Sequence, residues 1–376
     1  MIYLDNAATS FHKPPAVINA VNYALKNYSA NPGRSGHKAA LAASVAVFNA
    51  REKLSRMFGA EGAENVVFTV NNTYALNCVI KGVLHRGDHV LTSDLEHNAV
   101  MRPLEKLHRD GLITYSTAVT DNNDDITLQN FKRLIKPETR LVVCTHASNV
   151  LGTVLPIEKI GRMCKEAGIF FAVDAAQSAG VLDINMQKMN IDFLCIAPHK
   201  GLYAPMGTGV LISRKRIENT VIEGGTGTAS LSLAQPDTMP EQLESGTVNV
   251  PGICGISAGV DFVMQKTPLK IYKHEFFLLE RLYSSLSKNK KIILYSGQPV
   301  FDKTAPVLSF NVVGLESEKT AEFLNGRNIA VRAGYHCAPS AHKKAGSLDS
   351  GTVLASFGAF NTQRDVDYLV NSLKFL

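Results

Sequence analysis

Two apolar runs in this chain each end in a charged residue. Gly168 to Val173 runs into Asp174, and Asp192 to Ala197 runs through Pro198 and His199 into Lys200. A buried carboxylate and a buried lysine are each costly unless paired or put to use. Both runs read as strands of neighbouring βα units. Such strands end on one edge of a parallel sheet, where open α/β folds bind ligands. The pair could be a structural salt bridge at that edge, or two unrelated surface charges. It also meets the needs of an aldehyde cofactor with a basic ring nitrogen, pyridoxal phosphate. Lysine condenses with the aldehyde, and the carboxylate keeps the ring nitrogen protonated so that the ring can accept electrons.

Other residues fall where such a cofactor would need them. Asn71, Asn72 and Thr73 follow the Val66–Val70 run and open a helix. Backbone N–H groups and the dipole there favour a phosphate, and Thr73 adds a hydroxyl, although the triplet also suits an ordinary helix cap. His97, in Glu96-His97-Asn98, could stack on an aromatic ring and relay protons, or simply be a solvated loop histidine. Asn149 and Gln177 follow two of the strands. Either could donate to a phenolic oxygen, or serve as a turn residue.

The elements that must position these groups alternate along the first two-thirds of the chain. Pro14-Pro15 opens a helical pattern to about Asn27, and another covers His37 to Phe58. Short β-rich runs lie at Val66–Phe68, His89–Leu91, Ile113–Tyr115, Leu141–Cys144 and Gly209–Ile212, with helical stretches such as Thr127–Ile135 and Ile157–Ala167 between them. This is the pattern of a mainly parallel sheet covered by helices. From Gly224 to Gly246 the texture turns to Gly, Thr, Ser and Pro, which reads as a long functional loop. A helix near Ile256–Gln265 precedes a smaller α+β region, with strands near Val307–Val312 and Ile329–Arg332 and a closing helix over Gln363–Leu373.

Length and composition set the class. A chain of 376 residues, 45% hydrophobic and 19% charged, is an ordinary globular balance with room for about two domains. The net charge of +6 comes from scattered lysines and arginines, which argues for an anionic ligand and against nucleic acid. No apolar stretch approaches membrane-spanning length, and the first residues lack a basic, then apolar leader. The six cysteines form no CxxC pair and no metal-ligand spacing. The expectation is a cytoplasmic, reduced protein without a metal site or a membrane partner.

The motifs together resemble a known family. Leu4 to Ala8 (LDNAA), Thr145 to Asn149 (THASN), Val173 to Gln177 (VDAAQ), His199-Lys200, Glu244 to Thr247 (ESGT) and Arg332 to Ala338 (RAGYHCA) occur in this order across essentially the whole chain. The set is similar to class V aminotransferase-fold enzymes, and within them to cysteine desulfurases and selenocysteine lyases. The RAGYHCA stretch looks like the group II, Suf-type branch. The resemblance implies fold type I of the pyridoxal-phosphate-dependent transferases, an α/β architecture. A large domain of residues 16–259 would bind the cofactor, and residues 1–15 with 260–376 would form a small α+β domain. Lys200 would bind the cofactor covalently and Asp174 would face its ring nitrogen. Gln177 and Asn149 would contact the phenolic oxygen, His97 would stack over the ring, and Asn72, Thr73 and His199 would contribute to the cofactor site, the last two at the phosphate. Thr247 would reach the phosphate of the neighbouring subunit, implying a homodimer with shared sites. The C–S bond of L-cysteine, or the C–Se bond of L-selenocysteine, would be cleaved to give alanine, with Cys337 accepting sulfur as a persulfide. Arg332, His336 and His342 would lower its pKa. A sulfur or selenium acceptor protein would follow.

The chain departs from that pattern in three places. Ala197-Pro198 stands where the family has a serine, Asn71-Asn72-Thr73 where it has Gly-Thr-Thr, and Leu354 where it has an arginine that clamps the substrate carboxylate. Leucine cannot replace a guanidinium–carboxylate pair. Arg34, Arg102 or Arg332 could take over. Alternatively the enzyme could be a lyase or aminotransferase acting on another amine, or a weakly active sulfur or selenium relay partner.

Overall fold

The computed structural model of the chain describes residues 1–33 and 36–376. Seven strands build the larger sheet: β2 (Val66–Thr69), β3 (His89–Ser93), β4 (Thr114–Ala118), β5 (Thr139–Thr145), β6 (Phe170–Asp174), β7 (Phe193–Ile196) and β8 (Gly209–Ser213). β1 (Ile2–Tyr3) lies outside it. The spatial order is β2-β8-β7-β6-β5-β3-β4, with β8 antiparallel to both of its neighbours and the other pairings parallel. Strands β3, β6, β7 and β8 are almost wholly buried, as expected where helices cover both faces. β4, at the edge, has the polar sequence TYSTA and is largely accessible.

Helices α1 (Pro15–Asn27), α2 (Lys38–Phe58), α3 (Asn72–Val83), α4 (Asn98–Arg109), α5 (Asp124–Arg133), α6 (Ile157–Ala167) and α7 (Val250–Lys266) accompany this sheet. Their ends follow from local chemistry. Asn71 caps α3 by accepting from Tyr74 N, His97 caps α4 by accepting from Ala99 N, and α2 stops where Gly59 takes a left-handed conformation. Alternate residues of the central strands feed two cores. Val142, Cys144, Phe171, Val173 and Ile196 face one side with residues of α2 and α7; Leu141, Val143, Ala172, Phe193 and Cys195 face the other with residues of α3 and α4.

The second sheet orders as β12 (Arg332–Gly334), β13 (Thr352–Ser356), β10 (Val307–Val312) and β9 (Ile292–Leu294), all antiparallel. Helices α8 (Pro268–Leu286), α9 (Ser317–Asn325) and α11 (Gln363–Leu373) accompany this sheet, where Tyr272, Leu279, Phe310, Leu324, Val353 and Leu369 form a third core, while α10 (Pro339–Ala345) puts Ala341 into the first core. The single strand expected at Ile329–Arg332 is divided. β11 (Ile329–Ala330) pairs in parallel with β1, and after Val331 the chain turns so that Arg332 starts β12. That division ties the amino terminus to the small half, and Leu4 sits in its core. No helix of the described residues is long and apolar enough to cross a membrane.

Candidate active site

The carboxyl ends of β5, β6 and β7 meet the amino-terminal segment, the start of α3 and the β12–β13 edge around a cavity of about 260 Å³. Lys200, Asp174, His97, Asn72, Thr73, Asn149, Gln177, His199 and Cys337 all line it. The sheet topology explains the convergence. β5, β6 and β7 are adjacent and parallel, so the segments after them share one edge although they are far apart in sequence.

Asp174 closes β6 and is 3% exposed. Its Oδ1 accepts from Asn72 Nδ2 (2.8 Å) and from Ala176 N (3.0 Å). Neither donor uses Oδ2, which is left for a cationic ring nitrogen. Asn72 thus holds the carboxylate rather than a phosphate; the Thr73 hydroxyl and the amino end of α3 remain for an anion. Asn72 Oδ1 is buried without a partner. No ion pair joins Asp174 to Lys200 among the described residues. Burial pushes the Lys200 amine down to about 8, against the opposing pull of the Asp174 charge and helped by the Arg332 charge. An amine at that value holds a substantial uncharged fraction just above neutrality, far more than an ordinary lysine, and condensation with an aldehyde requires the uncharged form.

His97 gives its Nδ1 lone pair to Ala99 N (3.0 Å), so the neutral ring carries its proton on Nε2. Burial, outweighing Asp174, lowers its pKa below the ordinary histidine value. Glu96 anchors this turn. Fully buried, it accepts from Ser93 Oγ and, through both oxygens, from Thr145 N (3.0 Å each), tying the β3–α4 turn to β5. Its burial pushes its carboxyl up to about 8. Glu96 looks unremarkable in sequence, because only the three-dimensional neighbour of β3 supplies its partner.

His199 is fixed by the amino-terminal segment. Its Nδ1 meets Thr9 Oγ1 at 3.0 Å, and its carbonyl accepts from Ser10 N (3.1 Å) and Lys13 Nζ (3.2 Å). Burial pushes the His199 ring down to about 4 and Lys13 to about 8. Gln177 gives one amide hydrogen to Ala7 O (3.0 Å), which leaves its second for the cavity. Asn149 has a further duty that its position in sequence does not suggest: its Nδ2 donates to His336 O (2.8 Å), tethering the Cys337 loop.

Cys337 is the one exposed cysteine, the other five being buried. It follows β12 with φ of 55°, and His336 before it has φ of 48°. Two successive left-handed residues turn the loop inward, and Asn98 N donating to Cys337 O (2.7 Å) holds it against α4. The expectation that three cations activate the thiol needs correction. Burial pushes His336 down to about 4 and also lowers His342, so both rings are neutral at pH 7. Of the three, only Arg332 keeps a positive charge, and it lines the same cavity. Arg102 is exposed on α4 and absent from the cavity wall; Arg34 lies outside the described residues. Leu354 is buried in the wall (1% exposed). Thr247 does not enter its own chain's cavity; it is exposed on the long segment between β8 and α7.

The donor set fits pyridoxal phosphate. An acidic acceptor with a free oxygen, an amine of depressed basicity and a helix amino end with a hydroxyl surround one space.

Comparison with known proteins agrees. The class V aminotransferase family model matches residues 2–369. A probable cysteine desulfurase of Pyrococcus abyssi is 33% identical over 387 aligned positions, covering 100% of this chain and 94% of the relative. One from Synechocystis is 30% identical, covering 100% and 90%. Among solved structures, the apo cysteine desulfurase of Thermococcus onnurineus superposes with a TM-score of 0.92 at 33% identity, covering 100% of this chain and 94% of that one. The Escherichia coli cysteine desulfurase CsdA gives 0.89 at 27%, covering 99% and 94%. With cavity, fold and sequence in accord, the chain belongs to the class V aminotransferases, enzymes that depend on pyridoxal phosphate.

Proposed function

We propose that this protein is a cysteine desulfurase that removes sulfur from L-cysteine, releasing alanine and leaving a persulfide on Cys337. The observation that carries the reading is the placement of the exposed Cys337 in the same cavity wall as Lys200 and Asp174. The relatives at about 30% identity named cysteine desulfurase support it.

Bound pyridoxal phosphate supplies an electron sink for the pair released at the substrate's α-carbon. The chain's residues do the rest. Asp174 Oδ2 holds the ring nitrogen protonated, with Asn72 and Ala176 N fixing the carboxylate. Thr73 and His199 take the phosphate, Gln177 and Asn149 the phenolic oxygen. Lys200 Nζ would hold the cofactor's aldehyde carbon, and its amine, of depressed basicity, would take the α-proton and later return one. His97, neutral with its proton on Nε2, would lie against the cofactor ring and relay a proton. The Cys337 thiolate attacks the substrate sulfur. An S–S bond forms as the C–S bond breaks, the electron pair stays with the carbon, and protonation there gives alanine. Cysteine and enzyme thiol together become alanine and enzyme persulfide, with no outside oxidant.

The same reading places the chain in the Suf-type branch, on the Arg332-Ala333-Gly334-Tyr335-His336-Cys337-Ala338 motif, with Leu354 at the usual arginine position and L-selenocysteine as a further substrate. It includes a homodimer in which Thr247 reaches the partner's phosphate. Exposed Ile18 and Tyr23 on α1 and Leu41 and Phe48 on α2 support such an interface. It also includes a protein acceptor for the sulfur and a cytoplasmic location. The division into a large domain (16–259) and a small one (1–15 with 260–376) belongs to it as well. Packing of α7 residues through Val263 into the large core favours a cut nearer Thr267.

The test incubates holoenzyme with L-cysteine and measures alanine and thiol-labile sulfur on Cys337. Both should appear in equal amounts in a single turnover. Sulfide release by Cys337→Ala as fast as by the parent would remove the persulfide role.

A further inference from the structure

An α-amino acid brings a carboxylate into the cavity together with its amine, and desolvating that charge is costly unless a cation meets it. The amine end is assigned to Lys200. Among the described residues, Arg332 is the one guanidinium in the cavity wall. It is exposed and makes no hydrogen bond or ion pair there, so its fork of N–H donors is unspent. Its position is set by the small sheet. Arg332 of β12 and Leu354 of β13 are direct antiparallel partners. Such partners project from the same face with Cβ atoms about 4.5–5.5 Å apart. The guanidinium therefore extends beside the buried, apolar Leu354, which offers a carboxylate nothing.

We propose that Arg332 binds the substrate's α-carboxylate and thereby selects α-amino acids over amines lacking that group. The inference rests on the desulfurase reading for the identity of the substrate, but its geometry is independent of Cys337 chemistry. The charge of Arg332 reaches the reacting groups: it depresses the proton affinities of Lys200 and of the nearby Asp5 carboxyl. Asp5 is the rival partner. It forms no ion pair with Arg332 among the described residues, and its Oδ1 is buried without a hydrogen bond. Arg332 is thus held ready beside an acidic neighbour without being neutralised by contact.

The experiment uses holoenzyme and two sulfur-free ligands, L-alanine and ethylamine, titrated while the bound cofactor's absorbance is followed. Ethylamine has the same two-carbon amine and no carboxylate. Arg332→Leu should weaken L-alanine about 10- to 100-fold, the range of a charge-assisted pair, and leave ethylamine within about twofold. Unchanged alanine affinity, or equal loss for both ligands, overturns the proposal. Ethylamine binding reports that the variant is folded and loaded. Because neither ligand carries sulfur, this outcome is independent of whether Cys337 accepts any.

Discussion

The basicity of Lys200 can be read directly in cofactor-free protein. Its amine sits at about 8 against an ordinary 10.5, with burial as the main cause. At pH 7.5 an ordinary lysine is about 0.1% unprotonated, whereas a group at 8 is about 24% unprotonated, a gain of roughly 240-fold in reactive amine. The assay exposes cofactor-free protein to a small neutral aldehyde, traps the adduct with borohydride and quantifies it at Lys200 by mass spectrometry across pH 6 to 11. The trapping rate should rise with pH and level off above a midpoint near 8. Two variants fix the sign. The Asp174 charge holds the ammonium form, so Asp174→Asn should move the midpoint down; the Arg332 charge opposes it, so Arg332→Leu should move it up. A midpoint near 10, or movement of the variants in the opposite senses, would refute the electrostatic account of this site.

Other expectations follow from single contacts. Asn149→Ala loses the bond to His336 O (2.8 Å), so amide hydrogen exchange at residues 335–338 should quicken by about 1 kcal/mol of lost protection, with the rest of the sheet unaffected. Glu244, which pairs with Arg51 through both oxygens in a nearly buried site and also accepts from Phe68 N, anchors the segment carrying Thr247. Glu244→Ala should cost about 3–5 kcal/mol in urea unfolding. A Cβ on Gly259 of α7 would lie 1.9 Å from Leu202 O, just after Lys200. Gly259→Ala should therefore destabilise by several kcal/mol, on the order of overpacking's upper range, and loosen cofactor binding in equilibrium dialysis. Burial pushes His146 down to about 4 from 6.5, so the unfolded chain binds a proton between those values that the native state refuses. Stability should fall as pH drops from 6.5 to 4, and His146→Gln should flatten that slope by about 1.4 kcal/mol per pH unit.

Much of the architecture was legible because it rests on local pattern. Continuous apolar runs such as Leu141–Cys144 and Asp192–Ala197 announce central parallel strands, and the closing helix over Gln363–Leu373 matches its expected bounds. The split of Ile329–Arg332 between two sheets was not legible, since it depends on which remote strands offer free edges: β1 for one half, β13 for the other. Helix α8 (Pro268–Leu286) also escaped notice, although its buried Tyr272, Phe276, Leu279 and Leu282 hold the third core.

The same boundary runs through the site. Residue types and order determined the cofactor chemistry: an acid and a lysine closing adjacent strands, a hydroxyl at a helix start, and a cysteine after Arg-Ala-Gly-Tyr-His. Only the tertiary structure decided what each group does beside its neighbours. Folding spends Asn72 on Asp174 and Asn149 on the Cys337 loop, buries Glu96 against Thr145 N, silences the charges of His336 and His342, and leaves Arg332 free across from Leu354. The physical reason is that hydrogen-bond partners and desolvation are properties of packing between segments distant in sequence. A sequence carries the groups, but their protonation and availability are settled where the strands meet.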